Sequence, residues 1–320
     1  MELDKFLFFS WPKHLVDAIA SNPVLLRTKY ITVFYYGIFM GLAFCMAKLI
    51  AIYYISHQYP NEVVQSYLQV ISYFMFPLGI VGARIMSWVF EDNFSMSQLF
   101  RPGFWWHGGL IGVMLGTLIG SYIKSLSVVA LLDSFGAAMP AFEIFNRLGC
   151  LSYGCCWGRE APHEHPHAIR FKNQHSCICR KDSDCKDKFL YPVQVYAVIL
   201  SALQLLTTIY IFQFNVNAEG FLFLFGMATS SVVRLICERF RGDFRGSGMG
   251  STQAFAAIQF LCSFAFLICK SHILYALCQE TGLYNIEGVR NTFLGFVKDN
   301  LISFFGMFAV ALFAYGIHIH

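Results

Sequence analysis

Eight apolar runs constrain what this chain can fold into. They lie at approximately residues 31–55, 66–90, 104–123, 127–153, 192–213, 218–237, 253–278 and 297–320. A helix that crosses a bilayer needs about 20 mostly apolar residues, and each run is close to that length. The expected fold class is therefore all-α: a polytopic membrane helix bundle, one domain over residues 1–320. Only 13% of the residues are charged against 57% hydrophobic, which excludes an ordinary soluble domain. A net charge of +4, with its Lys and Arg spread between the apolar runs, gives no basic patch of the kind nucleic acid requires. The first thirty residues hold Trp11, several charges and Pro23 but no apolar run ending in a small-residue cleavage site, so no removable signal peptide is expected. The last run, DNLISFFGMFAVALFAYGIHIH, is polar only at its ends and reads as an anchoring or packing helix without chemistry. Lys270 marks the end of the apolar core in the seventh run. Phe104, Trp105 and Trp106 gather where an interfacial aromatic belt would lie.

In such a bundle, ionisable groups that remain at depth are the first candidates for function. Arg147 is the most exposed to that logic, because it follows the apolar stretch LLDSFGAAMPAFEIF within FNRLGCLSYGCCWGR. On a helix Arg147, Cys150 and Gly154 share one face, and Gly154 would let a backbone or lipid headgroup come close. A plainer reading pairs Arg147 with Glu143 one turn earlier. Tyr36 and Gly37 open the first run, Arg84 sits in the second, His107 begins the third, and Asp133 precedes Glu143 in the fourth. At the end of the sixth, Arg234, Glu238 and Arg241 fall on one helical face. They could form a surface ion-pair ladder, but two guanidinium groups offer planar, permanently charged donors suited to a phosphate.

One inter-span segment, 158–191, is long, polar and rich in Cys and His. It carries His163, His165, His167 and His175 with Cys177, Cys179 and Cys185. Together with Cys150, Cys155 and Cys156 it places six of the chain's 11 cysteines within 36 residues. Disulfides, a structural zinc site and unbridged thiols all fit the spacing.

Alternating the spans across a membrane puts the N-terminal segment and segments 91–103, 158–191 and 238–252 on one side. The approaches to Tyr36 and His107 and the exits beyond Arg147 and Arg241 then share a face. That side holds 15 Lys and Arg against 3 on the other, which by the positive-inside rule places it in the cytoplasm.

The order of motifs resembles the prolipoprotein diacylglyceryl transferase family of bacterial inner-membrane enzymes. The resemblance runs over roughly residues 33 to 262. It rests on YYG at 35–37, GAR at 82–84, HGGLIG at 107–112, Asp133 before Pro140, NRLGC at 146–150, GCCWGR at 154–159, YPVQVY at 191–196, and Arg234, Glu238, Arg241 and Gly242. The family's signature has the form GRIGNFINGELWGR; here its asparagine is Cys150 and its glutamate Cys155, and the acid that follows the YPSQLYE-type tyrosine is Ala197. Family members have seven spans with the motif face outward. Against them, the C-terminal extension over 279–320, with its eighth span, and the charge count are departures.

What the resemblance implies is transfer of a diacylglyceryl group from phosphatidylglycerol to the signal cysteine of a prolipoprotein, releasing glycerol phosphate, at the cell's inner membrane. This is substitution at an sp3 carbon with a phosphate leaving group. Its implied roles are phosphate stabilisation for Arg147 and Arg234, and thiol deprotonation for His107, whose plainer reading is an interfacial histidine beside Trp105 and Trp106. Tyr36, Arg84, Gly154, Glu238 and Arg241 are the implied headgroup residues. No cofactor and no metal are expected. The expected partners are phosphatidylglycerol or a related phospholipid, the lipoprotein's signal-peptide cysteine and the membrane itself, with no nucleic acid. Two further functions fit: a glycerophospholipid transferase with another acceptor or headgroup, and a non-catalytic lipid-binding membrane protein.

Overall fold

The computed structural model describes residues 13–90, 105–162, 165, 167–181, 187–213, 220–242, 251–269, 295, 297, 298 and 300–319. Phe104, His163, Cys185, Lys270 and segment 91–103 lie outside the described residues. Helix α1 (Lys13–Ser21) leads into strands β1 (Val24–Arg27) and β2 (Ile31–Phe34). Long helices follow: α2 (Tyr35–Gln58), α3 (Asn61–Val70) continued through one π-helical turn at Ile71–Met75 into α4 (Phe76–Phe90), α5 (Trp106–Lys124) and α6 (Val128–Tyr153). After the short α7 (Cys177–Lys181) come α8 (Val193–Gln213), α9 (Phe221–Glu238), α10 (Ser251–Cys269), α11 (Leu301–Gly316) and strand β3 (Ile317–Ile319).

Among the described residues, six helices are long and apolar enough to cross a membrane: α2, the joined α3–α4, α5, α6, α8 and α9. The expected seventh and eighth spans contain shorter apolar helices, Ala256–Phe266 and Leu301–Gly316. The chain is a helical, multi-pass membrane bundle. Several boundaries differ from the sequence expectation; the first span, for one, starts at Tyr35 because residues 31–34 form β2. The second span starts at Asn61, where Pro60 ends the preceding extended turn, because the amphipathic residues before position 66 bury Val64 against the bundle. The eighth stops at Gly316, and residues 317–319 form a strand. That strand adds to an otherwise helical fold a small antiparallel sheet in the order β1-β2-β3, with Val24 opposite Phe34 and Thr32 opposite His318. It ties the far end of the chain to the start of α2.

Helix α6 is the axis of the bundle. It is buried on every side, with small residues Gly136, Ala137, Ala138 and Ala141 in its middle and α2, α8 and α9 packed around it. Lipid provides little drive between helices, so close packing of small residues is what holds them together. The same device joins α4 to α5, where Gly108, Gly112, Gly116 and Gly120 recur every fourth residue and lie against backbone or side chains of residues 70–86. Asp133, near the start of α6, accepts from the backbone N–H groups of Gly220 (2.6 Å) and Phe223 (2.9 Å). It is the cap of α9, a structural task that satisfies donors a helix start leaves open.

The C-terminal helix does more than cover the outside. Its Gly316 meets the backbone of Gly37 on α2, and its Ser303 Oγ accepts from the buried Lys48 ammonium at 2.6 Å. The polar segment 158–191 also carries a core of its own: Ile169, Phe171, Cys177, Ile178 and Leu190 are buried together with Val16, Leu151 and Trp157.

Candidate active site

At the face where α6, α8 and α9 end or begin, a cleft with roughly 620 Å³ of empty space, its open mouth included, is lined by Arg147, Arg234, Arg241, Glu143 and Glu238. The helical periods explain the convergence. Glu143 and Arg147 are one turn apart on α6, and the Arg147 Nε donates to Glu143 Oε2 at 3.0 Å. Arg234 and Glu238 share the last turns of α9, and Arg241, just beyond, has its guanidinium 3.7 Å from Glu238. The expected pairing of Arg147 with Glu143 is present, and both residues line the cleft together with Arg234 and Arg241. The carboxylate fixes one edge of the guanidinium and leaves its terminal amino groups for a ligand. Three arginines against two acids leave the cleft with a net positive charge in a setting where water screens little.

The backbone that brings these elements together is a three-way junction. Arg159 N–H donates to the Phe240 carbonyl (2.8 Å), Gly242 N–H to Trp157 O (3.0 Å), and Tyr191 N–H to Arg159 O (3.0 Å). Residues 157–159, 191 and 240–242 are therefore bonded to one another, which holds Arg241 next to the end of α6. Gly158 sits where any Cβ would strike the Tyr191 carbonyl, so the junction closes only around glycine.

Gly154 takes the left-handed conformation (φ 72°) and caps α6, its N–H donating to Cys150 O at 2.9 Å. The space beside it is filled by Phe171 and Ser176, so it shapes the turn rather than admitting a headgroup. That turn brings together Cys150, Cys155 and Cys156, whose sulfur atoms all lie within 4.8 Å of one another. Cys150 and Cys155 are unbridged thiols. Hydrogen bonding with Cys150 and with Cys156, and then burial, push the Cys155 thiol well above its usual range. Cys156 lines the arginine cleft. Cys177 is packed instead in the apolar core of segment 158–191, and the Cys179 sulfur approaches Phe171 O at 3.3 Å.

The remaining expected residues are not among those that line the cleft. His107 is buried at the start of α5, next to Trp106, which lines the cleft, and within electrostatic reach of Arg234. Tyr36 packs against Tyr153 (ring centroids 5.5 Å) and Tyr315 of α11 (6.4 Å), behind the thiol turn. Arg84 donates to Ser87 Oγ at 3.4 Å on its own helix; it is not among the residues lining the cleft. The polar lining that sequence reasoning passed over is uncharged: Gln194, Ser201 and Gln204 on α8, Ser230 and Ser231 on α9, and Gln259 on α10. A signal for the first three exists, since Gln194, Ala197, Ser201, Gln204 and Thr208 recur at helical spacing along one face of an otherwise apolar helix.

Behind the cleft lies a second cavity of about 760 Å³, open to the outside and almost wholly apolar, between α2, α4, α5, α6 and α11. Phe44, Met75, Val113, Phe135, Ala138 and Met139 are among its walls, and Trp106 belongs to both cavities. A charged cleft and an apolar chamber therefore meet at one indole.

The family model for prolipoprotein diacylglyceryl transferase matches residues 23–275, which leaves α11 and β3 beyond the match. The phosphatidylglycerol–prolipoprotein diacylglyceryl transferase of Blochmanniella floridana is 30% identical over 244 residues, covering 69% of this chain and 84% of that protein. The second such transferase of Clostridium perfringens is also 30% identical, over 71% of this chain and 86% of its own length. The Campylobacter jejuni transferase is 24% identical over 74% and 89%.

Proposed function

Because the chain belongs to the prolipoprotein diacylglyceryl transferase family, we propose that the arginine cleft is where it carries out that family's reaction. The protein is a membrane transferase that moves a diacylglyceryl group from phosphatidylglycerol to a cysteine thiol of a prolipoprotein, releasing glycerol phosphate. The inner membrane is the compartment we propose for it.

The observation that carries the site assignment is the meeting of the two cavities at Trp106. A phospholipid donor has an anionic phosphate joined to two acyl chains, and the polar cleft and the apolar chamber match those halves. In the reaction the thiol sulfur attacks the glycerol CH2 that bears the phosphate, a C–S bond forms, and the C–O bond breaks with its electron pair going to the phosphate. Charge therefore grows on the leaving oxygen. Arg147 and Arg234 stabilise it, with donors fixed in advance by Glu143 and by packing. Arg241 holds the headgroup and Glu238 orients Arg241. His107 takes the thiol proton. Tyr36 supports the turn that carries the cysteines, packed on Tyr153 at its base.

Purified protein given phosphatidylglycerol and a peptide carrying the signal cysteine tests the assignment. The expected product is the thioether-linked diacylglyceryl peptide, lost in Arg234→Gln while the protein still unfolds at its normal temperature. Product formation by Arg234→Gln at the parent rate would remove the cleft from the chemistry. Supplying phosphatidylethanolamine and phosphatidylserine in parallel identifies the headgroup the cleft accepts.

A further inference from the structure

We infer that Cys150, Cys155 and Cys156 form a three-thiolate site for zinc, with a fourth coordination position that opens on the arginine cleft and takes the acceptor thiol. The three sulfurs already stand within 4.8 Å of one another. Zinc holds thiolates at about 2.3 Å, which sets tetrahedral sulfurs roughly 3.8 Å apart. Closing the remaining distance needs side-chain rotation only, because the backbone is already turned for it. Cys150 lies in the last turn of α6, and the left-handed residues Gly154 (φ 72°) and Cys156 (φ 55°) flank Cys155 and fold the chain back on the helix end. A cysteine in that region is uncommon, and such a conformation persists only where its surroundings hold it. Here the turn is pinned: Cys150 O accepts from both Gly154 N (2.9 Å) and Cys155 N (3.1 Å), and Cys155 O accepts from the Gln194 side chain at 2.8 Å.

An all-sulfur donor set selects a soft or borderline cation over magnesium or calcium. Three thiols release three protons on binding Zn2+, and the resulting complex carries one negative charge. Arg147, one helical turn before Cys150 and on the wall of the same cleft, offsets it. The three ligands are unequal in exposure. Cys150 is 4% exposed, Cys155 is partly buried, and Cys156 faces the cleft. Cys156 would thus set the ion at the edge of the cleft that Arg147 also lines. Three protein ligands and one open position is the arrangement of catalytic rather than structural zinc.

A cation deprotonates a coordinated thiol and keeps the thiolate available as a nucleophile. The acceptor thiol would bind as the fourth ligand and lose its proton to the base. Its sulfur lone pair then forms the C–S bond to the glycerol CH2 as the C–O bond breaks, and glycerol phosphate departs with that electron pair. The thioether left behind is a poor zinc ligand and dissociates. This acceptor half rests on the transfer reading above; the metal site itself does not.

Cobalt(II) added to reduced, chelator-stripped protein in detergent is the direct test. We expect one equivalent to bind with a thiolate-to-cobalt charge-transfer band and the intense visible bands of a tetrahedral ion, and Zn2+ to displace it. A signal-cysteine peptide should shift the visible bands, whereas its serine analogue should not. Cys155→Ser and Cys156→Ser should each weaken cobalt binding more than tenfold with elution volume and unfolding temperature unchanged, and Cys262→Ser, on the exposed face of α10, should do nothing. A disulfide among the three in freshly purified protein would overturn the site, as would cobalt binding without a thiolate band or unchanged in Cys155→Ser/Cys156→Ser. Should stripped protein transfer lipid as fast as zinc-loaded protein, the acceptor role fails and the transfer reading stands. Thiolate-ligated cobalt with no thioether product at any metal loading has the opposite meaning: the site stands and the transfer reading fails.

Discussion

Replacing Arg147 by Lys keeps the charge and removes the planar fork. In the structure Arg147 donates from Nε to Glu143 at 3.0 Å and lines the cleft, where the proposed phosphate is its second partner. An ammonium can satisfy either partner but not both in that geometry. One charge-assisted hydrogen bond is worth about 1.5–3 kcal/mol, and 1.36 kcal/mol is a factor of ten in rate, so kcat/KM should fall by about 10- to 150-fold. Stability should change little, since a lysine still neutralises the buried carboxylate. The assay is thioether formation on a signal-cysteine peptide, followed by mass spectrometry, beside a thermal unfolding curve. Glu143→Gln isolates the positioning role: it leaves an acceptor for Nε, so its loss should be smaller than that of Arg147→Lys, and the double variant should lose less than the two singles combined. Turnover within twofold of the parent in Arg147→Lys would refute the phosphate role, and strictly additive losses would refute the link through Glu143.

Other outcomes follow from the same geometry. Gly158→Ala should cost about 2 kcal/mol of stability, because the new methyl meets the Tyr191 carbonyl and overpacking of this kind carries that cost; Gly306→Ala, which faces open space on α11, should be neutral or slightly stabilising in the same unfolding assay. Asp133→Asn should lower stability by about 1 kcal/mol through the weakened cap of α9 with turnover per folded molecule unchanged, since fourteen residues of α6 put it about 21 Å from Arg147. Ala138→Phe, which fills part of the apolar chamber, should lower transfer from long-chain phosphatidylglycerol by about tenfold, or 1.4 kcal/mol, and leave a short-chain donor unaffected; equal loss for both donors would detach the chamber from the acyl chains.

The sequence made the helices legible because a run of about 20 apolar residues has few other uses. It also made the arginine cleft legible, since Glu143 with Arg147 and Arg234 with Glu238 and Arg241 are spaced to share helical faces. What stayed hidden depends on contacts between distant residues. Nothing in the three-residue strand Ile317–Ile319 announces that it pairs with β2, and nothing in the apolar last run announces that Ser303 receives the Lys48 ammonium. Lys48 itself is buried on α2, in a run whose apolar composition gives no sign of the partner it needs. The gathering of three sulfurs needs Cys156 in a left-handed conformation, which no residue-type preference suggests. The charge count shows the converse difficulty. Several of the basic residues that weight the motif face are part of its construction: Arg27 bonds His175 at 2.7 Å, Arg180 donates to the Tyr153 hydroxyl at 2.6 Å, Arg170 pairs with Asp187 at 2.8 Å and Lys188 with Glu160 at 3.1 Å. A surplus used to build a folded cap reports on that cap before it reports on membrane orientation.

The departures from the family signature fall on two elements beside the cleft. Arg147, Arg234, Glu238 and Arg241, which the resemblance carries over intact, line the cleft that we propose meets the leaving phosphate. Its requirement for fixed positive charge does not depend on the acceptor. Cys150 and Cys155, which replace an asparagine and a glutamate, lie instead on the turn behind Arg147, and Ala197, in place of an acid, is on the opposite cleft wall. Losing two acids and an amide takes away proton acceptors from the site, while the arginines are kept. A coordinated cation lowers a thiol's need for such acceptors because it stabilises the thiolate directly. The same substitutions that loosen the match to the family thus supply the sulfur donors that could replace what they removed, and they do so without altering how the donor lipid is held.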